Sequence, residues 1–305
     1  MPSPLRVLIT GGEGFLGRHL ADALEARGGT VRTFDDASAE GTRGRPRRDR
    51  WVLGDVRDLP RLEAAAKGMD ALVHLAARAI PPDDPVEGYS VNVLGTLNAL
   101  RAAGSQGVPR VVLASSSSVY GNAGAPPFSE GRSPGPVGLR GASYGARELL
   151  GRAFAEREGL TVIALRLFHV YGRGRARSHH PGILTAFGEA LARGEPPGVP
   201  GTGEATRDFL SVQDAVAAFT RALDRRLGRW TVVNVGTGVP VSLRAAAEMA
   251  CEAMGRLDLE PVSLAPGPEP ATSSFADLRT ARSVLGFEPA VGLAEGLAGR
   301  DWFIP

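Results

Sequence analysis

A phenol and a carboxylate stand four residues apart in the string Ser143-Tyr144-Gly145-Ala146-Arg147-Glu148. The string reads as the start of a helix, where residues i and i+4 share a face, so these two side chains are expected to meet. A tyrosine works as a general base when a neighbouring cation favours its ionised form, whereas a carboxylate beside it disfavours a second negative charge. Lys67, in a different predicted helix, is the only lysine in the sequence. Arg147 lies one place before Glu148 and is rotated by about 100° around the helix. The spacing therefore predicts a phenol facing a carboxylate, with its basicity suppressed.

Groups of this kind need a rigid frame. Short apolar runs at Leu5–Thr10, Val31–Phe34, Trp51–Leu53, Ala71–Leu75, Arg110–Ala114 and Thr161–Leu167 alternate with segments long enough to be crossover helices. That alternation predicts an α/β fold of Rossmann type, a doubly wound parallel sheet covered on both faces. After Gly172 the spacing becomes irregular, with Pro and Gly clusters between helical stretches near 181–193, 213–226, 242–254 and 278–285. Residues 1–171 are therefore assigned to a dinucleotide-binding domain. Residues 172–204 and 237–305 form a smaller substrate-binding lobe, and 205–236, with the strand Trp230–Val235, return to the main sheet.

The first predicted strand runs into Gly11-Gly12-Glu13-Gly14-Phe15-Leu16-Gly17 and then into a helix. Gly11 permits a tight turn, Gly14 a close approach of backbone to a pyrophosphate, and Gly17 close helix–strand packing, while the helix N-terminus supplies N–H donors and positive potential. The acidic pair Asp35-Asp36 ends the next strand at about the 20-residue distance the motif requires. Asp35 is expected to accept from the adenosine ribose hydroxyls and to repel a 2′-phosphate, which favours NAD over NADP. Asp55, followed by Val56, falls just after the third strand, where a carboxylate could accept from the adenine amino group. His74-Leu75-Ala76-Ala77 ends the fourth strand with small residues that leave room for a dinucleotide.

A chain of 305 residues with 43% apolar content buries a full core, and a formal net charge of +2 gives no argument for nucleic acid. The cluster Arg43, Arg45, Arg47, Arg48 and Arg50, interleaved with Gly and Pro, reads as a solvated loop. Cys251 is the single cysteine, so no internal disulfide is possible and a reducing compartment is the natural home. No apolar stretch approaches the length of a membrane span and no secretory leader is recognisable, so the expectation is a soluble, cytoplasmic protein. Adjacent His179 and His180 chelate one ion poorly, so no metal site is expected.

Taken together, the motifs TGGEGFLG, GDVRD, HLAA, Asn92 with Gly95-Thr96, ASSSSVYG, PFSE, SYG, RLFHVYG and TRDF resemble the extended short-chain dehydrogenase/reductases, specifically the nucleotide-sugar epimerase/dehydratase family. The resemblance implies NAD as cofactor, with Gly11, Gly14, Phe15, Leu16, Gly17, Asp35, Asp36, Asp55, Val56, Leu75, Ala76, Ala77, Asn92 and Tyr144 around it. It also implies a nucleotide sugar as substrate and a homodimer. By carry-over, Ser116 holds the sugar oxygen and Tyr144 exchanges its proton. The lysine four residues after that tyrosine has no counterpart, since Glu148 stands there; its carboxylate could still accept from the nicotinamide ribose. Ser117 and Ser118 occupy the positions of the acid/base pair of 4,6-dehydratases, so the serine string looks most like a C4-epimerase. His169 replaces an asparagine, either packed against the sheet edge or recruited as an acid/base; Arg147 or His169 would have to supply the positive charge or basicity that the missing lysine leaves out. Arg207 matches one arginine of a diphosphate clamp whose second member is replaced at Ala265-Pro266-Gly267-Pro268; Arg175, Arg177, His179 and His180 are candidates to compensate. Elimination or cyclisation without tyrosinate, or dinucleotide binding without turnover, are the alternatives.

Overall fold

The buried apolar runs pair as a single parallel sheet. The computed structural model describes residues 4–38, 50–81, 84–121, 123–174, 182–265, 273–299 and 302–303. Seven strands, β1 (Arg6–Thr10), β2 (Thr30–Asp35), β3 (Trp51–Leu53), β4 (Ala71–His74), β5 (Arg110–Ser116), β6 (Thr161–Leu167) and β11 (Trp230–Val235), lie in the order β11-β6-β5-β4-β1-β2-β3. Each neighbouring pair is parallel, for example Leu8 beside Arg32 on one side and Leu72 on the other. The order reverses between β1 and β4, and in open sheets that switch point opens a crevice at the strands' C-terminal ends.

Helices cover both faces. On one, α1 (Phe15–Ala26) packs on α7 (Val212–Asp224), and the core between them and the sheet contains Val7, Ile9, Leu20, Val73, Ile163, Phe219 and Val233. On the other, α2 (Leu59–Ala66), α4 (Gly95–Ser105) and α5 (Leu139–Glu158) cover Leu8, Phe34, Leu72, Val111 and Val162. Asp58 caps α2 by accepting from the Arg61 N–H, and Ser211 caps α7 by accepting from the Asp214 N–H. Between α3 (Val86–Tyr89) and α4 the chain makes one wide π turn over Ser90–Leu94, which carries Asn92 inward.

A third core gathers residues from the second half of the chain. Leu184, Phe187 and Leu191 of α6 (Ile183–Ala192) meet Ala246, Ala247 and Ala250 of α8 (Leu243–Met254), Leu293 and Leu297 of α9 (Leu293–Ala298), and Trp302. Three small pairings lie outside the main sheet: β7 (His169–Tyr171) with β10 (Phe209–Ser211), β8 (Gly198–Pro200) with β13 (Val262–Leu264), and β9 (Thr206–Arg207) with β12 (Val241–Ser242). One assignment from sequence needs correction. Residues 276–287, placed in the lobe, put Ala276, Leu278, Ala281, Leu285 and Phe287 into the core beneath α7 instead. Their short helical turn is too brief to show a period, so nothing in the pattern told which core it covers. Arg43, Arg45, Arg47, Arg48, Arg175, Arg177, His179, His180 and Pro266-Gly267-Pro268 lie outside the described residues. Arg50 is not a solvated member of a basic loop: it pairs with Asp22 and Glu25 of α1.

Candidate active site

The glycine turn is built by exclusion. Gly11 adopts φ +68°, and a Cβ there would stand 2.7 Å from the Ala76 nitrogen; at Gly17 it would stand 2.3 Å from the Gly11 oxygen. Gly14 differs: its nearest neighbour would be the Gly11 oxygen at 3.2 Å, so this glycine faces space rather than protein. Gly14 is also the N-cap of α1, supplies no side-chain cap, and is followed by no acidic residue in the first turn. A helix start with no side-chain cap and no acidic first turn carries positive potential that suits an anion. Phe15 and Leu16 begin the helix, Phe15 reaching towards Gly172 and Gly174 on the far wall.

Asp35 closes β2 as a nearly buried carboxylate, its oxygens accepting from the N–H groups of Glu13 at 3.0 Å and Ala37 at 2.9 Å. Burial pushes its pKa up to about 6, against the pull of those two backbone bonds. Each oxygen retains an acceptor site, which suits ribose hydroxyls. Asp36 is turned outward and accepts from the Ser38 N–H. The Asp55 carboxylate is gripped by the Arg57 guanidinium and held below its ordinary range by that bond. Val56 is buried beneath Gly95.

At the end of β4, Leu75 donates its N–H to the Thr10 oxygen, and Asn92 clamps the loop after Ala77 by accepting from the Arg78 N–H at 2.7 Å and donating to the Arg78 oxygen at 3.1 Å. His74 is fully buried and bonded on both nitrogens, Nδ1 to the Thr10 hydroxyl at 2.7 Å and Nε2 to the Thr96 hydroxyl at 3.0 Å. Thr96 spends its proton on the Asn92 carbonyl at 2.6 Å, so Nε2 must be the donor and Nδ1 the acceptor. Burial, and secondly Arg147, hold His74 well below its ordinary value, so it is neutral.

Tyr144 and its neighbours form the next group. Tyr144 is nearly buried on α5, and the guanidinium carbon of Arg147 lies 5.2 Å from its ring centroid. Ser116 ends β5, and its hydroxyl accepts from the Ser118 N–H at 3.2 Å and bonds the Ser118 hydroxyl at 2.9 Å; Ser117 opens the turn between them. Glu148 is not the uncompensated carboxylate expected from sequence. Arg166 of β6 grips it with two bonds, Nε at 2.9 Å and Nη2 at 2.7 Å, and the Ser115 hydroxyl donates to it as well. Both partners are buried. Burial lowers the Arg166 pKa, but the bonds from Glu148 and the Tyr120 hydroxyl outweigh it and leave the guanidinium above its ordinary value. The network runs on through Tyr120, which accepts from Arg166 at 2.9 Å and donates to Asn234 at 2.7 Å.

Arg166 was overlooked from sequence, although a charge inside the apolar run Thr161–Leu167 signals a buried partner. Arg147, which with His169 is a sequence candidate to supply the missing positive charge, lies off the Tyr144 face by its helical angle, but an arginine is long enough to reach around. Its fully buried guanidinium donates to the Ala114 oxygen at the end of β5 and to the Ala76 oxygen beyond β4, both at 2.7 Å. His169, in β7, packs its ring edge-on to Phe209 with centroids 6.1 Å apart. Arg207, on β9, donates to the Thr206 carbonyl and has its pKa lowered by burial. No group of three potential metal ligands occurs among the described residues.

An open parallel sheet with a glycine turn at its switch point, a capping carboxylate on the second strand and a buried tyrosine on the fifth helix defines a dinucleotide-binding α/β enzyme class. Within it, a model of the NAD-dependent epimerase/dehydratase family matches residues 7–236, and the chain belongs to that family. It is 36% identical to a UDP-glucose 4-epimerase of Mycolicibacterium smegmatis over 96% of each chain. Its fold is similar to the UDP-glucose 4-epimerase of Thermotoga maritima solved with UDP-glucose (TM-score 0.91, 29% identity, 98% of each chain covered). It is similar also to MoeE5 in complex with UDP-glucuronic acid and NAD (TM-score 0.84, 36% identity, 96% of each chain).

Proposed function

We propose that this protein is an NAD-dependent epimerase that inverts C4 of a nucleotide-activated sugar. The observation that carries the reading is Ala76. Its nitrogen packs against Gly11 of the cofactor turn and its oxygen accepts from Arg147 beside Tyr144, so one residue joins the cofactor cradle to the phenol. The uncapped N-terminus of α1 and the two spare acceptor sites of Asp35 fit the pyrophosphate and ribose of NAD. Bound NAD would supply the hydride acceptor for oxidation and the donor for re-reduction.

Tyr144 takes the proton of the C4 hydroxyl as the C4 hydrogen leaves as hydride, and Ser116 holds the resulting keto oxygen. Once the keto sugar has turned its other face, Tyr144 gives its proton back to the oxygen. Substrate, protein and proton count are unchanged; only configuration differs. Arg207 anchors a phosphate of the nucleotide. We read Glu148 as standing where the family lysine belongs and, held by Arg166 and Ser115, as a structural residue. The packing of His169 on Phe209 favours its structural role.

The buried, unbridged Cys251 accords with a cytoplasmic setting, and no helix among the described residues is long and apolar enough to cross a membrane. Exposed Val86, Leu94, Leu139 and Leu149 around α3, α4 and α5 support a homodimer. The test is incubation with UDP-glucose and with UDP-glucuronic acid, following the 4-epimer by chromatography and reduced nicotinamide by absorbance in single turnover. Product with transient reduced nicotinamide is expected. Product with solvent deuterium at C4, and no such transient, would instead indicate exchange chemistry.

A further inference from the structure

We infer that Arg147 is the cation that makes Tyr144 a base, in a site whose neighbouring carboxylate has been silenced. The inference rests on the proposed redox role of Tyr144. Three observations lead to it. The Arg147 guanidinium is fully buried and, among the described residues, pairs with no carboxylate; Glu148, the adjacent acid, is taken by Arg166 on both oxygens. Its two terminal nitrogens are fixed on the Ala114 and Ala76 oxygens, and its Nε has no partner among the described residues. Its charge stands 5.2 Å from the centre of the Tyr144 ring; the Arg140 guanidinium lies 5.9 Å from the same centre but on an exposed, solvent-screened residue.

An isolated buried cation is costly unless an anion completes it. The tyrosinate formed when Tyr144 gives up its proton is that anion. Burial lowers the Arg147 pKa, but a guanidinium starts so high that it suits the task better than an ammonium, and its planar fork is held by two backbone carbonyls instead of by a competing acid. The proton traffic remains between the sugar hydroxyl and the Tyr144 oxygen, with Arg147 losing and gaining none.

Arg147→Gln, which retains donors for the two carbonyls but removes the charge, tests this. The single-turnover rate of nicotinamide reduction is expected to fall about 10²–10³-fold, with the dissociation constants for NAD and nucleotide sugar unchanged. That rate should keep climbing with pH where the wild type has levelled off. In the protein without added sugar, the tyrosinate absorbance that Tyr144→Phe abolishes should develop at higher pH in the glutamine variant. Equal pH profiles in variant and wild type, or a loss carried entirely by weaker ligand binding, would make Arg147 a tie between strands and overturn the inference.

Should the glutamine variant not fold, Arg147→Lys decides. A buried ammonium loses its proton near or below about pH 10, so its rate should fall at alkaline pH where arginine sustains the wild type; superimposable profiles count against the inference. The sugar-free absorbance measurement separates the two readings. A wild type that reduces no nicotinamide with any nucleotide sugar sinks the epimerase proposal, while the absorbance comparison still judges Arg147.

Discussion

Arg166 lies within a buried strand, and removing its anion leaves a guanidinium among apolar neighbours. Glu148→Ala is therefore expected to lower stability by about 3–5 kcal/mol, read as a lower urea midpoint with an unchanged m-value. A change below about 1 kcal/mol would show that the pair is solvated. Asp35 carries a pH dependence. With its pKa pushed up to about 6 by burial, the group is neutral below that value and charged above it. Ribose hydroxyls donate to the charged form, so NAD affinity should rise between about pH 5 and 7 and then level off, by at most about tenfold per pH unit. A 2′-phosphate is repelled by the same charged form, so the preference for NAD over NADP should narrow towards pH 5. Calorimetric titration of both dinucleotides across that range checks it, and a constant ratio would acquit Asp35. At this scale the sequence revealed which residues were present but not which of them paired. The string at 143–148 shows Tyr144, Arg147 and Glu148 plainly, yet a partner eighteen residues away on β6 decides where the carboxylate points.

The turn from β1 into α1 separates two uses of glycine. Gly17→Ala would drive a methyl to 2.3 Å from the Gly11 oxygen, a backbone atom with nowhere to go, and is expected to cost about 1–3 kcal/mol or more in the free protein. Gly14→Ala meets only one atom, at 3.2 Å, and should leave the melting temperature nearly unchanged while weakening NAD, because the methyl enters the space kept for pyrophosphate. Thermal melts with and without NAD distinguish the two; equal losses in the free protein would mean that Gly14 too is held by packing. The strands were legible because parallel, doubly covered strands are continuous apolar runs, and β1, β4 and β6 have interiors that are almost wholly buried. The wide turn over Ser90–Leu94 was not, since a π turn changes hydrogen bonding without altering the kind of residue it uses.

Across the molecule, buried carboxylates stitch distant segments. Asp208, just before β10, accepts from the Thr237 N–H and hydroxyl, the Gly238 N–H and the Ala276 N–H; Asp214 on α7 accepts from the Ala290 and Val291 N–H groups. Asp214→Ala would strand two backbone donors and is expected to cost about 1–3 kcal/mol, with amide exchange quickening at 290 and 291 before the sheet loosens. Uniform acceleration along the whole chain would show that the stitch belongs to the global fold. The return of β11 to the sheet was readable from its apolar run after α7, whereas 276–287 carried no such mark.

The route of the chain has a mechanical corollary. It quits the seven-stranded sheet after β6, comes back through α7 and β11, departs for α8, and rejoins beneath α7 at 276–287. A chain that passes between cores this often has no single pivot, and a protease nick at one crossing would leave the pieces clasped.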